Sequence, residues 1–320
     1  MLSGIAFALA AGMMWGLVFV GPLLLPDYPA ALQSFGRYLA FGLIALPLAW
    51  FDRVELRRLQ ASDWREAGKL AAVGNLLYYL CLAAAIQRAS GPLPTMIIGT
   101  LPVVISICAN LFEHRRDGRL PWLRLLPALI VIGAGLACVN DVELAALAQR
   151  TDADLARYAS GAALAIGALA CWTWYPIRNA RWLRGHPDRR PRVWATAQGI
   201  ATLPLALAGY LLFWAWLAVR GDAFPMPLGP RPLFFTGLMA AIGLFASWLG
   251  TLCWNEASQR LPTAMVGQLI VFETIAALIY AYLLRVQWPQ PLTLAGILLL
   301  LGGVVWALHV KPETGAVAPS

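Results

Sequence analysis

The chain has 320 residues, of which 60% are hydrophobic and 12% are charged, with a mean hydropathy of +0.67 and a net charge of +8. A soluble domain carries about a quarter charged residues, so this composition excludes a soluble globular protein and indicates a polytopic membrane protein. The excess of arginine does not indicate nucleic-acid binding, because these residues stand in short loops between apolar runs.

Ten apolar segments follow one another along the chain, each of about 20 residues and long enough to span a bilayer as a helix. We therefore predict an all-α integral membrane protein. The predicted spans are 2–22, 30–51, 68–87, 92–112, 121–140, 158–178, 193–219, 232–255, 262–284 and 290–310. They form two five-helix halves, 1–143 and 158–311, which are joined by a periplasmic linker at 144–157 and followed by a disordered tail at 312–320.

Several residues of the first half recur in the second half in the same order, which is the mark of an internal repeat. The matches are Trp15 with Trp172 (offset 157), Cys81 with Cys253 (offset 172) and Leu-Pro-Thr at 93–95 with Leu-Pro-Thr at 261–263 (offset 168). Because five spans are an odd number, the second copy enters the membrane from the opposite side. The sequence thus predicts two inverted-topology repeats around a central cavity, an architecture of secondary transporters.

The basic residues indicate the orientation. With both termini in the cytoplasm, 17 basic residues fall on the cytoplasmic side and six on the outer side. The positive-inside rule favours this placement. We predict a multi-pass protein of the cell inner (plasma) membrane, with the loops 52–67, 113–124 and 180–192 in the cytoplasm. The tryptophans at segment ends that we interpret as interface anchors are Trp50, Trp122, Trp194 and Trp288.

Polar and small residues recur at helical spacing inside several spans, and aromatic residues accompany them. One wet face on each of these helices would form a cavity, and rings with polar tips suit a substrate that has apolar and polar parts. The residues predicted to line it are Trp15, Asn75, Tyr78, Tyr79, Thr95, Gly99, Trp172, Tyr175, Ser247, Trp248, Thr251 and Gln268. Ordinary helix–helix packing is the alternative, since small and aromatic residues serve that purpose as well.

Two ionisable residues, Arg37 and Glu273, stand inside spans, where a charge is costly and needs a reason. Glu273 is predicted either to couple transport to protons or to form a structural ion pair with Arg37. For Arg37, outward snorkelling towards Asp27 is the alternative. On one straight helix Glu273 lies off the face of Thr263 and Gly267, which favours a partner on another helix over contact with substrate.

Catalytic and cofactor chemistry has no support in the sequence. The three histidines stand at or beyond the membrane edges without cysteines or carboxylates at ligand spacing, and no Walker loop is present. We therefore predict no enzyme activity, no cofactor and no metal, and we interpret the five cysteines as free thiols. The predicted partners are a small-molecule substrate and membrane lipid but no nucleic acid, with the oligomeric state left open and a monomer among the alternatives.

The five-plus-five arrangement, the two Leu-Pro-Thr entries and Glu113 at the end of span four resemble the EamA-type drug/metabolite transporter superfamily. The stretch VGQLIVFETIAALIYAYLL, with Trp288-Pro289 after it, is similar to the aromatic amino acid exporter branch. This resemblance implies a basket in which spans 1, 3, 4, 6, 8 and 9 surround the cavity and spans 5 and 10 stand outside it. The acidic residue that such proteins often carry at the end of span nine is missing, and Arg285 stands nearby.

The expected function is a secondary transporter that exports aromatic and other neutral amino acids by alternating access. A broad-specificity drug or other metabolite transporter of the same fold is the alternative within transport. From another class, an intramembrane enzyme or scaffold is the remaining alternative. An enzyme would need an acid/base or metal group at membrane depth, and only Glu273 qualifies.

Overall fold

A computed structural model describes residues 1–89, 92–112, 121–139, 141, 152–286 and 288–310. Every regular element in these ranges is helical. The α-helices are α1 (Leu2–Gly16), α2 (Val20–Leu24), α3 (Ala30–Phe51), α4 (Arg53–Leu56), α5 (Ala61–Lys69), α6 (Tyr78–Ala89), α7 (Pro92–Gly99), α8 (Leu101–Phe112), α9 (Trp122–Val139), α10 (Asp152–Gly185), α11 (Pro191–Arg220), α12 (Pro232–Ile242), α13 (Gly250–Arg260), α14 (Thr263–Leu269), α15 (Val271–Arg285) and α16 (Pro291–Leu308). A 3₁₀ turn at Leu17–Phe19 joins α1 to α2.

Two helical stretches contain π-helical segments. The first π segment (Leu70–Leu77) joins α5 to α6, and the second π segment (Gly243–Leu249) joins α12 to α13. The offset of 172 that relates Cys81 to Cys253 carries the first of these segments onto 242–249. The same irregularity therefore occurs at corresponding places of the two halves, and such turns are frequent at functional sites.

The described residues contain seven helical stretches that are long and apolar enough to cross a membrane. They are Leu2–Leu24, Ala30–Phe51, Ala61–Ile86, Trp122–Val139, Pro191–Arg220, Pro232–Arg260 and Met265–Leu284. The all-α membrane class is confirmed, whereas the count of ten spans stays a prediction. The fourth predicted span is not one continuous helix, because it is divided at Thr100 into α7 and α8. The Thr100 hydroxyl donates to the Ile97 carbonyl at 2.6 Å, and Pro102 has no amide hydrogen for a helical hydrogen bond.

Two predicted boundaries can be compared with the structure. Helix α10 begins at Asp152 and so extends into the predicted linker 144–157. The rest of that linker, Glu113 with the loop up to residue 120, and the tail 312–320 lie outside the described residues.

The helices pack in pairs that link the two halves. Helix α3 packs against α11, α8 against α14 and α9 against α16, while α1 packs against α13 and α6 against α10. Exchanging every helix for its counterpart in the other half leaves four of these five pairs unchanged as a set; the exception is α8–α14, since α8 corresponds to α15 and α14 to α7. At the α9–α16 contact, a Cβ on Gly135 would lie 2.8 Å from the carbonyl oxygen of Gly296. Glycine thus brings these two backbones together, as at many membrane helix contacts.

The interpretation of Trp194 as an interface anchor is wrong. Its side chain is fully buried, stacks on Trp182 with ring centroids 3.5 Å apart, and donates from Nε1 to Asn179 Oδ1 at 2.9 Å. The ring faces α10 because Trp194 stands in the first turn of α11, directly after the short connection between these helices. Trp50 and Trp288, by contrast, are exposed, as an anchor requires.

Candidate substrate cavity

A buried cavity lies between α1, α3, α10 and α15. The two π segments, and the helices α6 and α13 that follow them, complete its wall. Its lining residues are Trp15, Val18, Arg37, Tyr38, Phe41, Asn75, Tyr78, Trp172, Ala246, Ser247, Thr251 and Glu273. The centre of a water molecule can occupy about 20 Å³ of the cavity. That room admits about one water. A larger molecule therefore fits only when the lining side chains or helices move.

One wall of the cavity is aromatic. Trp172 stacks on Tyr78 and on Tyr175, with ring centroids 4.9 and 4.8 Å apart, and meets Trp15 edge-on at 5.3 Å. Trp15 also packs against Trp254 at 4.9 Å. The indole Nε1 of Trp172 is buried and has no hydrogen-bond partner among the described residues. A buried unpaired donor is costly, so this wall has an unused polar group as well as stacking surface.

Arg37 turns into the protein and is 7% exposed. Its Nε donates to Ser247 Oγ at 2.9 Å, and its guanidinium carbon lies 4.9 and 5.6 Å from the ring centroids of Tyr38 and Tyr79. Asp27 pairs with Arg231 instead. The snorkelling interpretation of Arg37 is therefore wrong, because an acceptor and two ring faces lie on the inner side of α3.

Glu273 lines the cavity and is 6% exposed. Glu273 lies off the face of Thr263 and Gly267, as helical periodicity predicts, but that face contacts other helices: Gly267 packs against Ile105 of α8. Ile270, between α14 and α15, keeps right-handed helical dihedrals (φ −57°, ψ −25°), and the face that carries Glu273 borders the cavity. Among the described residues no ion pair joins Glu273 to Arg37, and neither carboxylate oxygen of Glu273 receives a hydrogen bond.

The structure brings together half of the residues predicted for the cavity, as well as the two ionisable ones. Those at the cavity are Trp15, Asn75, Tyr78, Trp172, Ser247, Thr251, Arg37 and Glu273. Tyr79 and Tyr175 lie one layer behind, against Arg37 and Trp172. Their role in substrate binding stays a prediction, as does that of the whole set.

Three further residues predicted for the cavity lie elsewhere. Gly99 faces Leu136 of α9, and Trp248 donates from Nε1 to Thr196 at 3.3 Å. Gln268 is buried without lining the cavity, and neither atom of its amide has a partner among the described residues. The side chain of Thr95 lies outside the described part. Among the side chains that the structure describes, none of span four lines the cavity, although the resemblance implied that this span would.

Helix α3 takes part in the cavity wall, which the sequence analysis missed. Besides Arg37, it contributes Tyr38 and Phe41 to the lining. The available signal was local: Phe41 stands four positions after Arg37 and therefore shares its side of the helix.

A chain of buried hydrogen bonds, also missed, leads away from the cavity through α11. Asn75 Nδ2 donates to Thr202 Oγ1 at 3.0 Å, and the Thr202 hydroxyl donates to the Gln198 carbonyl at 2.7 Å. Gln198 Nε2 donates to Asn179 Oδ1 at 3.0 Å, and Asn179 Nδ2 donates to Asn255 Oδ1 at 2.8 Å. The spacing of Gln198 and Thr202, one helical turn apart in an apolar span, was the sequence signal for this chain.

The hydrogen-bond chain ends at a charged cluster in which first-half carboxylates meet second-half partners. The pairs are Asp52 with Arg192, Glu55 with Arg190, Glu66 with Arg178, and Asp63 with Trp182 and His186. The Glu66–Arg178 pair is bidentate, with Nη2 to Oε2 at 2.9 Å. We call this group the charged end. It ties the two halves together on one side of the cavity.

Comparison with known proteins places this architecture among membrane carriers. A protein of known crystal structure shares the fold with a TM-score of 0.72 at 15% identity, covering 97% of this chain and 99% of that chain. Residues 2–139 match the EamA-like transporter family. The inner membrane protein YtfF of Escherichia coli (strain K12) is 58% identical over 313 residues, which are 98% of this chain and 97% of YtfF. The chain belongs to the EamA-like transporter family, so it is a membrane transporter rather than an enzyme.

Proposed function

We propose that this transporter exports aromatic and other neutral amino acids across the bacterial inner membrane by alternating access. The observation that carries this proposal is the cavity where the rings of Trp15, Tyr78 and Trp172 meet polar groups from both halves. Stacking surface suits an apolar side chain, while hydroxyl, amide and charged groups suit the polar end of the same molecule. The location is supported by YtfF, which is an inner membrane protein.

The mechanism we propose uses ten spans as two inverted five-helix repeats that rock about the cavity. Three observations support it. Four of the five helix pairs are unchanged when the halves are exchanged, the π segments occupy corresponding places, and Trp15 touches its counterpart Trp172. In such a cycle the charged end opens and closes, while the aromatic wall remains in contact with the substrate.

Drug-like cations are less favoured as substrates. A carrier selective for cations needs an excess of negative charge around the ligand, whereas the described lining of this cavity contains one carboxylate, that of Glu273, and one guanidinium, that of Arg37. The net balance fits a neutral or zwitterionic molecule.

The transport proposal is tested with the purified full chain in liposomes. Vesicles preloaded with labelled phenylalanine, leucine or tryptophan should release them faster than protein-free vesicles, and unlabelled neutral amino acids should compete. Glutamate and a phosphorylated sugar serve as comparison solutes. A protein that moves only multivalent cations or phosphorylated sugars, and none of the amino acids, contradicts the proposal.

The orientation we propose puts both termini and the charged end in the cytoplasm. In a background without native cysteines, Asp188→Cys lies beside the charged end, and its carboxylate side chain is 74% exposed. An impermeant thiol reagent added to intact cells should leave it unlabelled. Asp222→Cys, in the exposed connection after α11, is the matched control and should react. The reverse pattern of labelling contradicts this orientation.

A further inference from the structure

Two buried groups of opposite charge border the cavity without satisfying each other. Arg37 comes from α3 in the first half and Glu273 from α15 in the second half. Both are almost completely buried, and no ion pair joins them among the described residues. Buried charges in proteins are normally paired or serve a function, because desolvation without a partner is costly.

Arg37 is held in place with part of its guanidinium unused. Its Nε bond to Ser247 and its position over the rings of Tyr38 and Tyr79 fix the group. Its Nη1 has no hydrogen-bond partner among the described residues. Arginine offers five donors in a planar fork that matches a carboxylate, so the free side of this fork suits a ligand carboxylate.

Glu273 is held through its backbone. Its amide donates to the Ile270 carbonyl at 2.8 Å where α15 begins, and a Cβ on Gly12 of α1 would lie 3.1 Å from that amide nitrogen. The backbone that carries the carboxylate is thus held between α15 and α1. With its Oε2 buried and unpaired, the carboxylate is an acceptor for an ammonium group.

We propose that Arg37 and Glu273 clamp the two ends of an α-amino acid zwitterion, Arg37 binding the carboxylate and Glu273 the ammonium group. The substrate side chain then lies against Trp172 and Tyr78. This inference rests on the proposed function and deepens it, since it names the ligand class: molecules whose ammonium and carboxylate groups are attached to the same carbon. Amines and monocarboxylates, which satisfy only one end, bind weakly because the other buried charge stays unpaired.

The test compares three ligands of similar shape on the purified full chain. They are L-phenylalanine, 3-phenylpropionate, which lacks the amine, and 2-phenylethylamine, which lacks the carboxylate. The wild type should bind phenylalanine about 10- to 100-fold more tightly than either analogue, the range expected for one charge-assisted contact.

Two variants then assign the ends. Glu273→Gln should weaken phenylalanine by about 10- to 100-fold while leaving 3-phenylpropionate within about twofold. Arg37→Gln should weaken phenylalanine equally and leave 2-phenylethylamine unchanged. Glu256→Gln and Arg220→Gln, which change the same residue types outside the cavity, are the controls and should leave all three affinities at the wild-type value.

The outcomes separate the clamp from its alternatives. If Glu273→Gln binds phenylalanine normally but loses proton-driven transport, Glu273 is a coupling group and the clamp is wrong. If both variants lose all three ligands together with thermal stability, the two residues are structural and the clamp is wrong. If the wild type binds no amino acid, the proposed function itself is contradicted. If the wild type binds amino acids and neither substitution changes the affinity, only the clamp is contradicted.

Discussion

The two halves of the chain hold polar groups at the cavity in the same way. Asn75 and Ser247 stand at the offset of 172, in the first and second π segments, and both line the cavity. Asn75 bonds Thr202 on α11, and Ser247 bonds Arg37 on α3. Helices α3 and α11 are themselves counterparts, so each π segment attaches to the second helix of the opposite half.

The charges, however, occur in one copy only. The group bonded to Ser247 is the guanidinium of Arg37, whereas the group bonded to Asn75 is the hydroxyl of Thr202. At the offset of 168, Glu273 corresponds to Ile105, which is fully buried against Gly267. The repeat thus positions the helices in the same way in both halves. The charged side chains are not repeated, so the two sides of the cavity differ in charge. The same contrast holds at the charged end, where the carboxylates belong to the first half and the arginines to the second half.

The largest expected effect concerns the two π segments. Gly74 corresponds to Ala246, but a Cβ on Gly74 would lie 2.7 Å from Cγ of Tyr175, so Gly74→Ala forces α10 away. We expect a loss of about 1–3 kcal/mol in unfolding free energy and at least about tenfold in transport. Thermal unfolding in detergent and the efflux rate measure both. Gly68→Ala is the matched control, since a Cβ there meets nothing within 4 Å. Equal behaviour of the two variants would mean that the halves do not touch tightly at Gly74.

An intermediate effect should separate the counterparts Trp15 and Trp172. Trp172 has three ring neighbours and Trp15 has two. Because one aromatic contact contributes about 0.5–1.5 kcal/mol, Trp172→Ala should reduce efflux about tenfold, and more than Trp15→Ala.

Tyr175 provides the control for this comparison, because it lies behind Trp172 and not at the cavity. Tyr175→Phe keeps the stacked ring and loses the bond to Gln198, so transport should stay near the wild-type value. Tyr175→Ala should reduce transport. Efflux is to be compared with the melting temperature of each purified variant. If Trp172→Ala lowers efflux and melting temperature in parallel, Trp172 has a packing role alone. If Trp172→Ala and Tyr175→Ala both transport at the full rate, the aromatic wall does not contact the substrate.

The smallest expected effect lies at the charged end. Glu66→Gln breaks a partly exposed ion pair with Arg178, and such pairs contribute up to about 1 kcal/mol. We expect a shift of about fivefold or less towards the state open at this end, read as faster labelling of a cysteine placed at Thr251 in a background without other cysteines. Restoring the wild-type rate with Glu66→Arg combined with Arg178→Glu would assign the effect to the pair. Glu256→Gln, whose partner Arg260 is on the same helix, should change nothing.

The sequence by itself determined the membrane class, the positions of most helices and the free cysteines, all of which the structure bears out. These properties depend on the length and composition of local runs, which a single chain displays directly. Repeat matching also relates Trp15 to Trp172, and these two rings are in contact in the structure.

Only the tertiary structure decided which side chains meet. The neighbouring helices determine that the face of Glu273 borders the cavity while Gly267 packs against Ile105, that Arg37 turns inward and that Trp194 is buried. Helical periodicity gives the relative directions of side chains along one helix. It carries no information about which helix lies opposite, because that depends on packing between residues far apart in the chain.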